Sequence, residues 1–166
     1  MERLKVISSK IYSWDGIRKQ TNIWRFQGKK IVFTNGCFDI LHLGHVEYLS
    51  RAADLGNVLI IGLNSDPSVQ KLKGFDRPLI NEAARAILLA SFSFVTAVVL
   101  FDEETPYKLI ELIQPDILVK GADYKVEEIA GHDIVLARGG KIETIELTKG
   151  YSTTALINRI RHHKTH

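Results

Sequence analysis

Apolar and polar positions along this 166-residue chain switch repeatedly between two rhythms. Ile31, Val32 and Phe33 form a continuous apolar run that leads into Thr34-Asn35-Gly36, the pattern of a buried strand ending in a turn. Residues 45–56 put Val46, Leu49, Ala52 and Ala53 on one helical face and close on Gly56, which predicts a helix with a glycine C-cap. NVLIIGLNSD (57–66) is a second apolar run, AARAILLASF (83–92) is helical and AVVLF (97–101) is a third strand. TPYKLIELI (105–113) predicts a helix with Thr105 as N-cap and Pro106 in its first position. DILVKG (116–121) and KIETIEL (141–147) are two more strands, and residues 126–140 between them predict a helix stopped by glycines. TTALINRIRH (153–162) closes the series as a helix, and apolar positions from Trp14 to Phe26 give a loose one at the start, ended by Gly28.

Strands and helices that take turns define an α/β fold. The expectation is a single domain: a mostly parallel five-stranded sheet with helices on both faces, a Rossmann-like three-layer sandwich with right-handed crossovers. Residues 1–28 would be an N-terminal helical segment, 29–161 the sheet domain and 162–166 a frayed tail. Ligands in such sheets bind beyond the carboxyl ends of the strands. Those ends read TNGCFD, LNSDPSVQKLKG, LFDEET, VKGADY and LTKGYSTT, so most of the polar chemistry gathers on one side.

Composition narrows the classes. The hydrophobic share of 45% and charged share of 25% are those of a soluble globular protein. No apolar run approaches the ~18 residues of a membrane span, and the N-terminus lacks a signal-peptide core. A single cysteine, Cys37, points to a reducing, cytoplasmic setting. The net charge of +3 suits small anionic substrates, and no basic run with interleaved aromatics argues for nucleic acid.

The join IVFTNGCFDILHLGH carries the densest candidate chemistry. His42 and His45, at i and i+3, share a face on the first turn of the helix. Three readings compete: a zinc site, which lacks a third ligand in the local sequence; a pair of packed core histidines; and an anion site at a helix N-terminus. The last explains Gly44 as a close approach of ligand to backbone, with the imidazoles as directed donors.

HLGH, preceded by a strand and TNGCFD, resembles the HxGH motif of the nucleotidyltransferase superfamily. NSD, LKGFDRP, DILVKGADY, EEIAG and GYSTT extend the resemblance over about 24–160, to the adenylyltransferase part of ADP-heptose synthases. It implies transfer of AMP from ATP to heptose 1-phosphate, with Mg²⁺ accompanying the triphosphate, in a stand-alone homodimer. Related possibilities are GTP with a heptose phosphate, CTP with glycerol 3-phosphate, or a non-catalytic nucleotide-binding module. By this resemblance Thr34, Asn35, Gly36, Cys37, Phe38, His42, Gly44 and His45 hold the triphosphate. Lys73, or Lys71 beside it in a long loop, covers the phosphates. Lys120, Gly121 and Asp123 meet base and ribose, and Ser152, Thr153 and Thr154 present a second helix start. Asp39, Asn64, Asp66 and Arg77 are the acceptor candidates; Asp39 has an equal alternative as a cap. No dedicated carboxylate cage for the metal is visible in the sequence. One departure is that Leu147-Thr148-Lys149-Gly150-Tyr151 stands where related cytidylyltransferases carry Arg-Thr-Glu-Gly-Ile, which removes the arginine and leaves Lys149 as the candidate substitute. For homodimerisation the sequence offers only Trp14, Trp24 and Phe26, which can equally cover the chain's own sheet.

Overall fold

The computed structural model describes residues 2–148 and 150–162; Lys149 and the expected tail beyond His162 lie outside them. Six parallel strands form one sheet in the order β1-β4-β3-β2-β5-β6, where β1 is Ile11–Tyr12, β2 Ile31–Gly36, β3 Val58–Asn64, β4 Ala97–Phe101, β5 Ile117–Gly121 and β6 Lys141–Ile145. The expected count of five strands is corrected by β1, which pairs with β4 through Ile11↔Val98 and Tyr12↔Val99. Two residues have no periodicity to read, and the strand exists only because β4 offers a free edge. The N-terminal segment is accordingly built into the sheet. The Lys10 ammonium donates to the carbonyls of Phe92 and Val95, and the Trp14 indole to that of Leu100.

Alternate strand residues face opposite layers, and the core divides accordingly. Ile31, Phe33, Ile60, Val99 and Leu118 pack against α2 (Trp14–Phe26), α6 (Tyr107–Ile113) and α7 (His132–Ala137). Val32, Leu59, Ile61, Val98 and Val119 pack against α3 (Leu43–Ala53) and α5 (Glu82–Ala90). Trp24 is in the first layer and Trp14 packs on it, so both tryptophans cover the chain's own sheet; Phe26 is 94% exposed. No helix among the described residues is long and apolar enough to cross a membrane.

Several local expectations change. Residues 66–73 are not loop but a helix, α4 (Asp66–Lys73), capped by the Ser65 hydroxyl, which accepts from Ser68 N–H, with proline in the first turn. Its only fully buried residues are Ser68 and Val69, so it shows no apolar stripe. Two further helices complete the chain, α1 (Glu2–Ser8) and α8 (Thr153–His162). The stretch 126–140 divides into a 3₁₀ turn (Val126–Glu128) and the short α7. Helix α6 begins one residue later than expected, with Pro106 in the cap position.

Gly56 does not cap α3: the cap is Asp54, and Gly56 is required by packing. A Cβ there would lie 2.6 Å from Val32 Cγ2 and 2.8 Å from the Lys30 carbonyl oxygen. Gly56→Ala should therefore destabilise by about 1–3 kcal/mol, the usual consequence of overpacking. Urea unfolding checks this, and a change below about 0.5 kcal/mol would contradict it.

Strand order reverses beside β2. The chain steps outward from β2 through β3 to β4, then returns to place β5 on the other side of β2. The carboxyl ends of β2 and β5 therefore flank the switch point, where a crevice forms in such sheets.

Candidate active site

The turn 37–42 joins the end of β2 to the start of α3 at this switch point. Thr34 is fully buried, and its hydroxyl shares a 2.8 Å hydrogen bond with the Tyr48 phenol, which fixes the strand end against α3. Phe38 adopts a left-handed φ of 44° and lays its ring edge-on against His45, with centroids 5.3 Å apart. A Cβ on Gly36 would stand 3.0 Å from that ring, so glycine leaves room for it.

His42 occupies the N-cap position of α3, but its side chain makes no capping bond. Its ring instead stacks on His45, with centroids 3.8 Å apart and planes 18° from parallel. Nδ1 of both rings and Oδ1 of Asn35 are buried without a hydrogen-bond partner. Such atoms are rare because leaving one unpaired costs about 1–3 kcal/mol. The two histidine atoms stand at the start of α3 and the Asn35 oxygen at the end of β2, so both sides of the turn carry unused hydrogen-bonding capacity. Burial lowers the pKa of His42, and burial with His42 alongside takes that of His45 down to about 4. Both rings are neutral at pH 7, and each keeps one N–H to donate.

Cationic groups approach from two sides. Lys120, at the end of β5, has its pKa pulled to about 8 by burial, partly countered by Cys37 and Asp123. Its ammonium lies 5.4 Å from the centre of the Tyr124 ring. Asp123 folds back over Gly121, where a Cβ would meet its Oδ1 at 2.5 Å. Burial pushes the Cys37 thiol pKa up, while Lys73, Arg85 and Arg77 pull against that rise. The thiol is thus protonated and inert, but it shows that the charge of Lys73 reaches the turn. Lys71 and Lys73 stand in the last turn of α4, about 200° apart around its axis, so one of them at most faces the site.

Helix α8 supplies a second N-terminus. Ser152 accepts from the Ala155 N–H at 3.1 Å, the cap expected of it, while Thr153 and Thr154 form the first turn. Tyr151 stacks on His42 with centroids 6.5 Å apart, and a Cβ on Gly44 would stand 3.2 Å from both the His42 ring and Tyr151. The Thr148 hydroxyl donates to Glu47 on α3, which ties the approach to α8 to the first helix.

The acceptor candidates are placed differently from one another. Asp39 is buried and accepts from Arg77 Nε (2.6 Å) and from the backbone of Leu79 (2.8 Å) and Ile80 (2.9 Å). The Asn64 amide donates to Ser68, and Asp66 pairs with Arg85 at 2.6 Å. Among the described residues no group of three or more His, Cys, Asp or Glu is arranged to hold a metal ion.

A family model described as cytidylyltransferase-like matches residues 33–159, from β2 through most of α8. The chain belongs to the cytidylyltransferase-like family. Among its relatives are proteins named bifunctional protein HldE. That of Magnetococcus marinus is 50% identical over 153 residues, which is 92% of this chain and 31% of the relative. That of Campylobacter jejuni subsp. doylei is 57% identical over 136 residues, 82% of this chain and 29% of the relative. The chain thus spans about a third of the length of these curated relatives. The lipopolysaccharide core biosynthesis protein of Thermoplasma volcanium superposes with a TM-score of 0.60 at 30% identity, covering 75% of this chain and all of that one. The pantoate-beta-alanine ligase of Francisella tularensis, at 16% identity and a TM-score of 0.61, shares the fold.

Against this cytidylyltransferase-like frame, Arg85 is what sequence reasoning missed. It is fully buried and donates to four residues, Cys37, Asn64, Asp66 and Ile80, on three stretches of chain. The signal was present: Arg85 lies on the same face of α5 as the buried Ala86, Leu89 and Ala90, a charge inside an apolar stripe. Two surface hollows lie elsewhere. One, at the amino ends of β2, β5 and β6, is lined by Lys30, Asp116, Arg138 and Lys141; the other, beside β4, by Glu82, Asp102 and Glu103. Neither contains one of the unpaired buried atoms found at the histidines.

Proposed function

We propose that the chain transfers AMP from ATP to a sugar 1-phosphate, heptose 1-phosphate, giving ADP-heptose and pyrophosphate for lipopolysaccharide core precursors. The observation that carries the reading is the stacked histidine pair with unpaired Nδ1 atoms at the start of α3, facing the switch point. The motif resemblance to ADP-heptose synthases suggests the acceptor class, and the Thermoplasma relative, named as a lipopolysaccharide core biosynthesis protein, supports the setting.

In this reaction an oxygen of the acceptor phosphate attacks the α-phosphorus, a new P–O bond forms, and the bond to the β-phosphate breaks, releasing pyrophosphate. A phosphomonoester is already anionic at neutral pH, so no general base is needed. What the site must do is orient both reactants and stabilise charge on the phosphoryl oxygens. His42 and His45 donate N–H groups there, the N-termini of α3 and α8 add partial positive charge, and Lys73 rather than Lys71 closes over the phosphates. Lys120, Gly121 and Asp123 take base and ribose; Arg77, whose Nε alone is engaged by Asp39, turns its remaining donors to the acceptor. Mg²⁺ would be held mainly by triphosphate oxygens and water, where it would neutralise phosphate charge.

A pyrophosphate-release assay across ATP, CTP, GTP and UTP, with heptose 1-phosphate and glycerol 3-phosphate as acceptors, tests this. Turnover should be highest with ATP and heptose 1-phosphate. Turnover confined to CTP with glycerol 3-phosphate would overturn the substrate assignment.

A further inference from the structure

Two buried charged groups hold one short piece of chain between them. The Ile80 N–H donates to Asp39, and the Ile80 carbonyl accepts from Arg85 Nε at 2.9 Å. Leu79 N–H and Arg77 Nε add two further bonds to Asp39, so segment 77–80 is fastened to the turn next to the histidines. Arg85 then reaches three more places: the Cys37 carbonyl in that turn (2.5 Å), the Asn64 carbonyl at the end of β3 (2.9 Å) and the Asp66 carboxylate at the start of α4 (2.6 Å). The base of α4 is pinned further, by Asp66 N–H to Glu82 and by Ser68 to the Glu103 carbonyl.

The other end of α4 is free by comparison. Lys73 is its last residue, and Gly74 follows with φ of 96° and open space where a Cβ would be. Lys73 thus lies between two anchors, the pinned base of α4 and the pinned 77–80 segment, and Arg85 bonds to both. A cluster of this kind is a poor device for stability alone, since packed apolar residues often replace a buried ion pair without loss. It does fix geometry, because the planar guanidinium donates in several set directions at once.

We propose that Arg85 is a positioning residue that, together with Asp39, holds the base of α4 and segment 77–80 in register with the phosphate-binding turn, so that Lys73 and Arg77 meet the bound triphosphate and acceptor. The proposal deepens the nucleotidyl-transfer reading and rests on it.

The test compares Arg85→Lys, which keeps the charge but loses the fork, with the milder Asp66→Asn. For each, kcat and KM are measured, together with amide hydrogen exchange of the whole chain. Arg85→Lys should lower kcat by about 100-fold, the scale on which a ~1 Å displacement acts. The Leu79 and Ile80 amides should exchange about tenfold faster or more, while those of β2–β5 stay protected. Asp66→Asn should shift both readouts the same way by less, and it carries the test if Arg85→Lys does not fold. Wild-type protection at Leu79 and Ile80 in a folded variant, or a kcat loss matched by loss of strand protection, would overturn the proposal. If the unaltered protein releases no pyrophosphate from any nucleotide, the functional reading fails, and the two amides still decide whether the clamp exists.

Discussion

His45→Ala lowers kcat by about 10²–10³-fold, the scale of removing one preorganised donor from developing charge, with a much smaller change in nucleotide KM. The reason is local. The His45 ring is held between Phe38 and His42, its Nδ1 is buried and unpaired, and it stands on the first turn of α3. A group fixed in that way has no reorganisation left to perform when charge builds on the phosphoryl oxygens. His45→Gln, which restores an N–H donor, should recover part of the loss. Turnover within threefold of wild type in a folded His45→Ala variant would sink the catalytic assignment.

The same residue sets a pH dependence of stability. The folded-state pKa of His45 is depressed to about 4 from an ordinary 6.5, so between those values the unfolded chain binds a proton that the folded chain does not. Stability therefore rises with pH across this window and is lost as pH falls from 6.5 towards 4. His45→Ala should flatten that part of the curve, which denaturant midpoints between pH 4 and 7 would show. An unchanged slope would mean that the ring is solvated rather than buried.

These features were unequally visible in the sequence. β3 was legible because a strand buried on both faces must be apolar throughout, and its seven residues are all buried. The two-residue β1 was not, since only the edge of β4 calls it into being. Helix α4 had its start signals in Ser65 and Pro67, but it lacks a wide apolar stripe and passed for a loop. The histidine pair was legible because strand, turn and helix start are all local patterns. The joint role of Asp39 and Arg85 was not, because they meet through the backbone of Ile80, remote in sequence from Asp39.

Lys120→Met should raise stability and weaken function in one step. Burial holds the Lys120 pKa near 8, so below that pH the folded protein without ligand carries an ammonium in surroundings that disfavour its charge. Between pH 8 and the ordinary value of 10.5 the unfolded chain retains a proton that the folded chain gives up, so wild-type stability gains as pH rises through that interval. Methionine fills similar space without the charge and loses the contact with the Tyr124 ring, worth about 0.5–1 kcal/mol, together with the attraction of Asp123 that burial already outweighs. At pH 7 a Tm increase of about 2–4 °C corresponds to a net gain of ~1 kcal/mol for a chain of this size. The nucleotide presents the opposite balance: its negative charge offsets the burial of the ammonium, and losing a charge-assisted bond of about 1.5–3 kcal/mol lowers kcat/KM for ATP by roughly 10–100-fold. In the wild type the same group makes kcat/KM fall above pH 8, and Lys120→Met should abolish that limb. Calorimetry together with pH-dependent kinetics checks both halves. A variant with lower Tm and unchanged kcat/KM would show Lys120 to be a structural residue of β5 with no part in binding nucleotide.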